Sequence, residues 1–195
     1  MRRSKLLSAM CALAVASVTM TIESSQALAE QSIHTQEAKA LAVKLGVHSL
    51  DGPYQFINGS GKCLAIGDSS DTNGAHAIQW DCKGNTQAKR WYYYIHPTDS
   101  RYLRIVNGSG KCLAIGDSST ANGAHAIQWK CIDESPGQKW DFVDYPEDGS
   151  YHVHFVNGSG KCLAIGDSST ANGAHAIQWK CIGRSQGQKW EFYRL

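Results

Sequence analysis

The chain has 195 residues, with 19 Lys+Arg against 17 Asp+Glu and a formal net charge of +2. Nucleic-acid binders draw most of their affinity from Lys and Arg neutralising phosphates. A nearly balanced chain without a basic run is not of that class, nor built to adhere to an anionic membrane surface.

The N-terminus reads as a targeting segment. Arg2, Arg3 and Lys5 form a basic start, Leu6 to Met20 is largely apolar, and Ala27-Leu28-Ala29 is a small-x-small site before Glu30. This is the pattern of a cleavable secretory signal over residues 1–29. The apolar run is short for a membrane span, and Met10 before Cys11 is too large for a lipid-attachment box. The expected mature chain carries 16 basic and 16 acidic residues, and its 166 residues suit one domain with a modest core. Residues 30–50 have no copy elsewhere. They read either as a short helix from Thr35 through Lys44, ended by Gly46, or as a mobile leader.

Repetition organises everything after that. Lys111–Cys131 recurs unchanged as Lys161–Cys181, and Val106–Ile132 recurs as Val156–Ile182. A third copy, Lys62–Cys82, carries Asp71-Thr72 for Thr-Ala and Asp81 for Lys. The units span about residues 51–98, 99–147 and 148–195. Each opens on Asp-x-x-Tyr (Asp51/Tyr54, Asp99/Tyr102, Asp148/Tyr151), followed by a short strand and an Asn-Gly-Ser-Gly turn. Asn58, Asn107 and Asn157 are formal glycosylation acceptors there, and the turn is the simpler reading. Lys-Cys-Leu-Ala-Ile is a second strand, Ala-His-Ala-Ile-Gln-Trp a third, and a fourth begins at Trp91, Trp140 or Trp190. Each unit holds two cysteines 19 apart: Cys63/Cys82, Cys112/Cys131 and Cys162/Cys181. In an exported chain this spacing reads as one disulfide per unit. Structural zinc would want CxxC-type knuckles, which are absent, so no metal and no cofactor are expected.

Twelve short strands with almost no helix predict an all-β fold. One unit cannot bury its apolar face alone, so three must share a core. The first and last units look like the middle one, so closure around a threefold axis is the natural solution. That is a β-trefoil, a six-stranded barrel capped by three hairpins.

Gly-Lys-Cys-Leu-x-Ile, Asn-Gly-Ala, an aromatic two before Cys, and Gln-Lys-Trp together resemble the ricin B-chain-type β-trefoil lectins. That family also supplies carbohydrate-binding modules to secreted bacterial glycosidases. The Gln-x-Trp signature stands at Gln138-Lys139-Trp140 and Gln188-Lys189-Trp190, with Lys89-Arg90-Trp91 in the first unit. The resemblance covers residues 51–195 and implies a lectin with one shallow sugar site per unit, stacking on Trp80, Trp129 and Trp179. It also marks departures. The family Asp after Cys-Leu is Ala65, Ala114 and Ala164. A Gln two before the aromatic is Ile78, Ile127 and Ile177. The Asn before Gln-x-Trp is Gly137 and Gly187.

Other polar residues are candidates to take over the missing contacts: Asp68, Asp117 and Asp167, with His76, His125 and His175, at the two ends of each hairpin loop, and Gln79, Gln128 and Gln178 beside each Trp. With Cys112 opposite Cys131, Ala114 faces Trp129 and Asp117 comes near His125. Asp117 lies an odd offset from Ala114, so it substitutes for the lost Asp only if the strand has twisted or ended by then. In this register Gln128 points inward and Ile127 and Trp129 outward, and a one-residue bulge would reverse them. The bland readings are a core Trp, a turn Asp bonding its own backbone, and a solvent-facing His.

Every Asp and His of the conserved unit is triplicated, whereas an active site is a single asymmetric constellation. A nucleophile elbow, a phosphate loop and a zinc helix motif are all missing. The expected activity is binding, not cleavage, of a galactose-type, xylan-type or microbial glycan by a secreted monomer, without nucleic acid or membrane insertion. The alternative is a protein-binding trefoil, such as a protease inhibitor, acting through Asp133-Glu134-Ser135-Pro136-Gly137.

Overall fold

The computed structural model describes residues 7–96, 98–144 and 152–195. Helix α1 spans Leu7–Leu45. The chain divides into two compact units, one ending at Glu37 and one running Ala38–Leu195. Ala, Leu, Gln, Glu and Lys favour helix throughout α1. Thr35 does not start a helix but lies within α1, its hydroxyl donating back to the Gln31 carbonyl at 2.8 Å, one turn earlier. The stop is Gly46, at φ +69°, with Val47 N–H bonding Ala42 O and Gly46 N–H bonding Val43 O. Within the second unit, Leu41 packs with Tyr92, Tyr94, Val106 and Cys112, and the Lys44 ammonium donates to Ser109 O at 3.3 Å. Among the described residues no helix is long and apolar enough to cross a membrane.

The rest is strand. The twelve are β1 Asp51–Asn58, β2 Cys63–Ile66, β3 Ala77–Trp80, β4 Trp91–Ile95, β5 Leu103–Asn107, β6 Cys112–Ile115, β7 Ala126–Trp129, β8 Trp140–Asp144, β9 Val153–Asn157, β10 Cys162–Ile165, β11 Ala176–Trp179 and β12 Trp190–Arg194. Pairing closes a ring, β1–β4–β5–β8–β9–β12 and back to β1. Three hairpins, β2–β3, β6–β7 and β10–β11, hang from β1, β5 and β9. This is the β-trefoil, and closure leaves the barrel without open edges. The expected fourth strands do begin at Trp91, Trp140 and Trp190. Asp148 and Tyr151 of the third Asp-x-x-Tyr lie outside the described residues.

One core is shared by all three repeats. Trp91, Trp140 and Trp190 are fully buried, and each indole N–H donates to the carbonyl 27 residues upstream, Leu64, Leu113 and Leu163, at 2.9, 2.9 and 3.2 Å. The donor of a buried Trp needs such a partner. Phe56, Phe142, Phe155 and Phe192 pack edge-on or tilted between them, with centroids 4.7–6.4 Å apart. Gln138 and Gln188 are buried too, each bridging backbone: Ile132 N–H and Lys130 O, and Ile182 N–H and Lys180 O. In the first repeat, Lys89 replaces that Gln and donates to Lys83 O at 2.7 Å. The turn asparagines face inward. Asn58 donates to Gly187 O and Lys189 O, and Asn157 to Gly137 O and Lys139 O, so these amides are buried repeat-to-repeat clamps, not free glycan acceptors.

Three disulfides close Cys63–Cys82, Cys112–Cys131 and Cys162–Cys181, each with Cα atoms 5.0 Å apart. Such geometry is ordinary for the bond.

Candidate functional site

Each cap hairpin has the same register. Cys112 pairs with Trp129, Leu113 with Gln128, Ala114 with Ile127 and Ile115 with Ala126. This corrects the expected pairing of Cys112 with Cys131 by two residues. An even shift preserves which face each side chain takes, so Gln128 still points inward and Trp129 outward, with no bulge. Ala114 therefore faces Ile127, not Trp129.

The inward face answers one question against expectation. Gln79, Gln128 and Gln178 are 0% exposed and offer nothing to a ligand. Gln128 Nε2 donates to Ser70 O and Thr72 O of the preceding repeat, and its Oε1 accepts from Ser109 Oγ. Gln178 does the same to Ser119 and Ala121, and Gln79 to Ser169 and Ala171. A buried amide must be satisfied, and here satisfaction ties each repeat to its neighbour in a closed cycle.

The outward face carries the three exposed indoles: Trp80 at 43%, Trp129 at 36% and Trp179 at 38% exposure. Each rests beside the glycine of a neighbouring Asn-Gly turn. A Cβ on Gly74, Gly123 or Gly173 would lie 3.6–3.8 Å from Cζ3 of Trp129, Trp179 or Trp80. The asparagines of those turns were missed in the sequence, although the repeated Asn-Gly marked them. Asn73 Oδ1 accepts from Lys130 N–H and Asn122 Oδ1 from Lys180 N–H, both at 2.9 Å, fixing the residue after each Trp. In the first repeat Asp81 takes the Lys position and accepts instead from Asn172 Nδ2 at 3.0 Å and Lys62 Nζ at 2.7 Å. The Lys62 bond, then that of Asn172, holds the Asp81 carboxyl below the usual carboxylate range.

β2, β6 and β10 end before the aspartates, so strand alternation does not set the direction of these side chains. Asp68, Asp117 and Asp167 sit at φ 53–54° and the serines after them at φ 48–50°. Two successive non-glycine residues in the left-handed region are uncommon, and such strain concentrates at functional sites. Asp68, His76 and Trp80 line one cavity of about 760 Å³, floored by Ala65 and Ile78 and walled by Thr86, Ala88 and Lys89. Asp167 and Trp179 line a smaller one of about 230 Å³ in the third repeat.

The histidines do not stay with separate hairpins. His76, His125 and His175 converge, their ring centroids 4.8, 4.8 and 4.9 Å apart. Burial, then the charges of His125 and His175, push the His76 pKa down.

A sequence profile described as the ricin-type beta-trefoil lectin domain matches residues 53–190. The chain belongs to the ricin-type β-trefoil lectin family. Among solved structures it is similar to the designed threefold-symmetric protein ThreeFoil, at 31% identity and TM-score 0.66, over 74% of this chain and 100% of that one. It is also similar to an exo-β-1,3-galactanase from Clostridium thermocellum, at 28% identity and TM-score 0.65, over 74% of this chain but only 30% of that one. The C-half of the earthworm R-type lectin, solved with GalNAc, shares the fold at 19% identity and TM-score 0.57, over 74% of this chain and 100% of that one. No curated protein sequence matches the chain.

Within the ricin-type family, the departures of this chain acquire physical reasons. Ala65, Ala114 and Ala164 are nearly buried, so methyl groups replace the family Asp at the cleft floor. Gly137 and Gly187 replace the family Asn because the strained turn closes on them. A Cβ at Gly137 would lie 2.8 Å from Ile115 O and 2.9 Å from Ser118 Oγ, and at Gly187 3.0 Å from Ile165 O and 2.9 Å from Ser168 Oγ. The first repeat has Ala88 there, and its cleft is the larger one.

Proposed function

We propose that this lectin-family chain is a secreted carbohydrate-binding protein that holds a polysaccharide or glycoconjugate without cleaving it. The observation that carries the reading is the pairing of an exposed indole with an aspartate on one cavity, Trp80 with Asp68 and Trp179 with Asp167. A sugar presents an apolar C–H face to a ring and hydroxyls to a carboxylate. Trp129 and Asp117 occupy the equivalent positions of the second repeat. The first cleft, with Thr86, Lys89 and His76 on its walls, is the principal site. His175 also borders it, while Gln79, Gln128 and Gln178 serve the scaffold. Three weak sites on one body raise avidity by orders of magnitude without a new contact.

In this reading residues 1–29 are a cleaved export signal, residues 30–50 a leader, and residues 51–195 the sugar-binding domain, acting as a monomer. Three disulfides support an oxidising compartment. Galactose-type, xylan-type and microbial glycans are the ligand classes to test, with no nucleic acid or membrane as partner. A glycan array of the oxidised chain tests the reading: a hit competed away by free sugar is expected, and a blank array from folded protein overturns it.

A second reading, protein binding through residues 133–137, draws on one observation. Buried Arg104 donates to Ile132 O, Asp133 O and Ser135 O, and His96 meets Asp133 O, so this loop is held from beneath. A protease-inhibition screen distinguishes it, and inhibition lost on Glu134→Ala would favour it.

A further inference from the structure

We infer that His76, His125 and His175 form a single divalent-cation site of the zinc class at the hub of the three repeats. Each repeat contributes one imidazole from the residue just before β3, β7 or β11. The backbone there is fixed from both sides. Each His carbonyl accepts from Gly67, Gly116 or Gly166 N–H of its own repeat at 2.9–3.0 Å. Each His also bridges an isoleucine of another repeat: His76 with Ile127, His125 with Ile177 and His175 with Ile78. The cycle closes, so the three Cα positions are set by the fold and not by the rings.

The rings themselves form a propeller. Their centroids make a nearly equilateral triangle, 4.8, 4.8 and 4.9 Å, with interplanar angles of 78°, 89° and 77°. One ring nitrogen from each lies within 4.8 Å of the other two. Around a tetrahedral Zn²⁺, with Zn–N of about 2.0–2.1 Å, three imidazole nitrogens stand about 3.4 Å apart. Rotation about the side-chain torsions spans that difference, and the rings are exposed enough to turn. Among the described residues, no protein group hydrogen-bonds these rings, so ligation displaces no internal partner. Three neutral imidazoles and no carboxylate select Zn²⁺, Ni²⁺ or Cu²⁺ over Ca²⁺ or Mg²⁺, which take oxygen ligands. The fourth position faces solvent. The other grouping, His154 with Cys162 and Cys181, offers no thiolate because those cysteines are bonded to each other.

One ion bound by three repeats would also join them, since a ligand that binds only the folded state raises its stability. The assignment does not rest on the sugar reading, although His76 and His175 also line the first cleft. The test is calorimetric titration of the chelator-treated, oxidised full-length chain with zinc chloride. The expected result is one zinc per chain, not three, together with a raised thermal midpoint. His125→Asn should weaken binding by more than about 100-fold, beyond the 10–100-fold typical of losing a supporting hydrogen bond. His76→Asn/His125→Asn/His175→Asn should abolish it, and His48→Asn, on an exposed residue elsewhere, should leave it intact. Should the variants misfold, Co²⁺ added to the wild-type chain decides by NMR, because paramagnetic shifts must centre on these three rings. A wild-type chain that binds no zinc, a triple variant that binds as wild type, or Co²⁺ shifts centred elsewhere would overturn the assignment.

Discussion

Gln128 and Ser70, 58 residues apart in sequence, meet through a 2.8 Å bond from the Gln128 amide to the Ser70 carbonyl. The same bond joins Gln178 to Ser119 and Gln79 to Ser169, so each repeat reads the hairpin loop of another. A residue that looked like a sugar contact is therefore a bolt. Gln128→Ala should destabilise the fold by about 1–3 kcal/mol, the cost of leaving buried carbonyls unmatched. Denaturant unfolding under oxidising conditions measures it, and the set of glycans recognised should not change.

The two sets of tryptophans should respond oppositely to truncation. Trp140→Ala removes a fully buried ring and its bond to Leu113 O, for about 3–5 kcal/mol of stability. Trp80→Ala removes a ring that is 43% exposed, so it should cost the fold little and the first cleft its stacking surface. Paired thermal melts and binding curves separate the two. A collapse of stability in Trp80→Ala would mark that ring as core.

The fold was legible because repetition is visible without any geometry. Cysteine pairs 19 apart, Trp91, Trp140 and Trp190 at strand starts, and near-identical units together demanded three closed hairpin pairs. The site was legible only in part, because closure brings together residues that no local pattern relates. Strand parity placed Gln128 inward, but its carbonyl partners Ser70 and Thr72 belong to another repeat. The two-residue difference in register has a simple cause: a disulfide does not require directly opposed partners, and Cys131 lies two residues beyond Trp129, which pairs with Cys112. His76, His125 and His175 looked like three separate loop residues until the threefold axis put them side by side. Asp117 escaped the parity rule through a left-handed turn that only the backbone shows.

The disulfides should matter cumulatively. Each closes a loop between cysteines 19 apart, worth about 3 kcal/mol on the loop-entropy argument. Replacing Cys112 and Cys131 by Ala should lower the denaturant midpoint measurably while leaving a folded chain. Full reduction should lower it much further.

Acid should loosen the barrel at Asp51. Partial burial pushes this carboxyl up, but hydrogen bonds from Tyr93 and Tyr54 and the Arg194 guanidinium outweigh it and hold the pKa below the usual carboxylate value. A depressed folded pKa contributes stability that is fully present above the unfolded value of about 3.9. It is lost as pH falls through the folded value. Thermal midpoints between pH 6 and pH 2 should therefore fall below about pH 4. Asp51→Asn should start lower and show a shallower acid slope. An unchanged slope would remove Asp51 from the explanation.

Similarly, Gly187→Ala tests why the third cleft is small. A Cβ there meets Ile165 O at 3.0 Å and Ser168 Oγ at 2.9 Å, so the Asp167-Ser168 turn must move. The expected cost is about 1–3 kcal/mol, as for overpacking, with weakened binding at Trp179 and unchanged binding at Trp80.

The most direct measurement is an indole ¹⁵N–¹H NMR titration of the oxidised chain with the sugar that competes on the array. The chain has six tryptophans, three exposed and three fully buried. The sugar-site assignment predicts saturable shifts of the Trp80, Trp129 and Trp179 indole signals, largest for Trp80, with Trp91, Trp140 and Trp190 unmoved. Saturable sugar binding that leaves all three exposed indoles unshifted would contradict it.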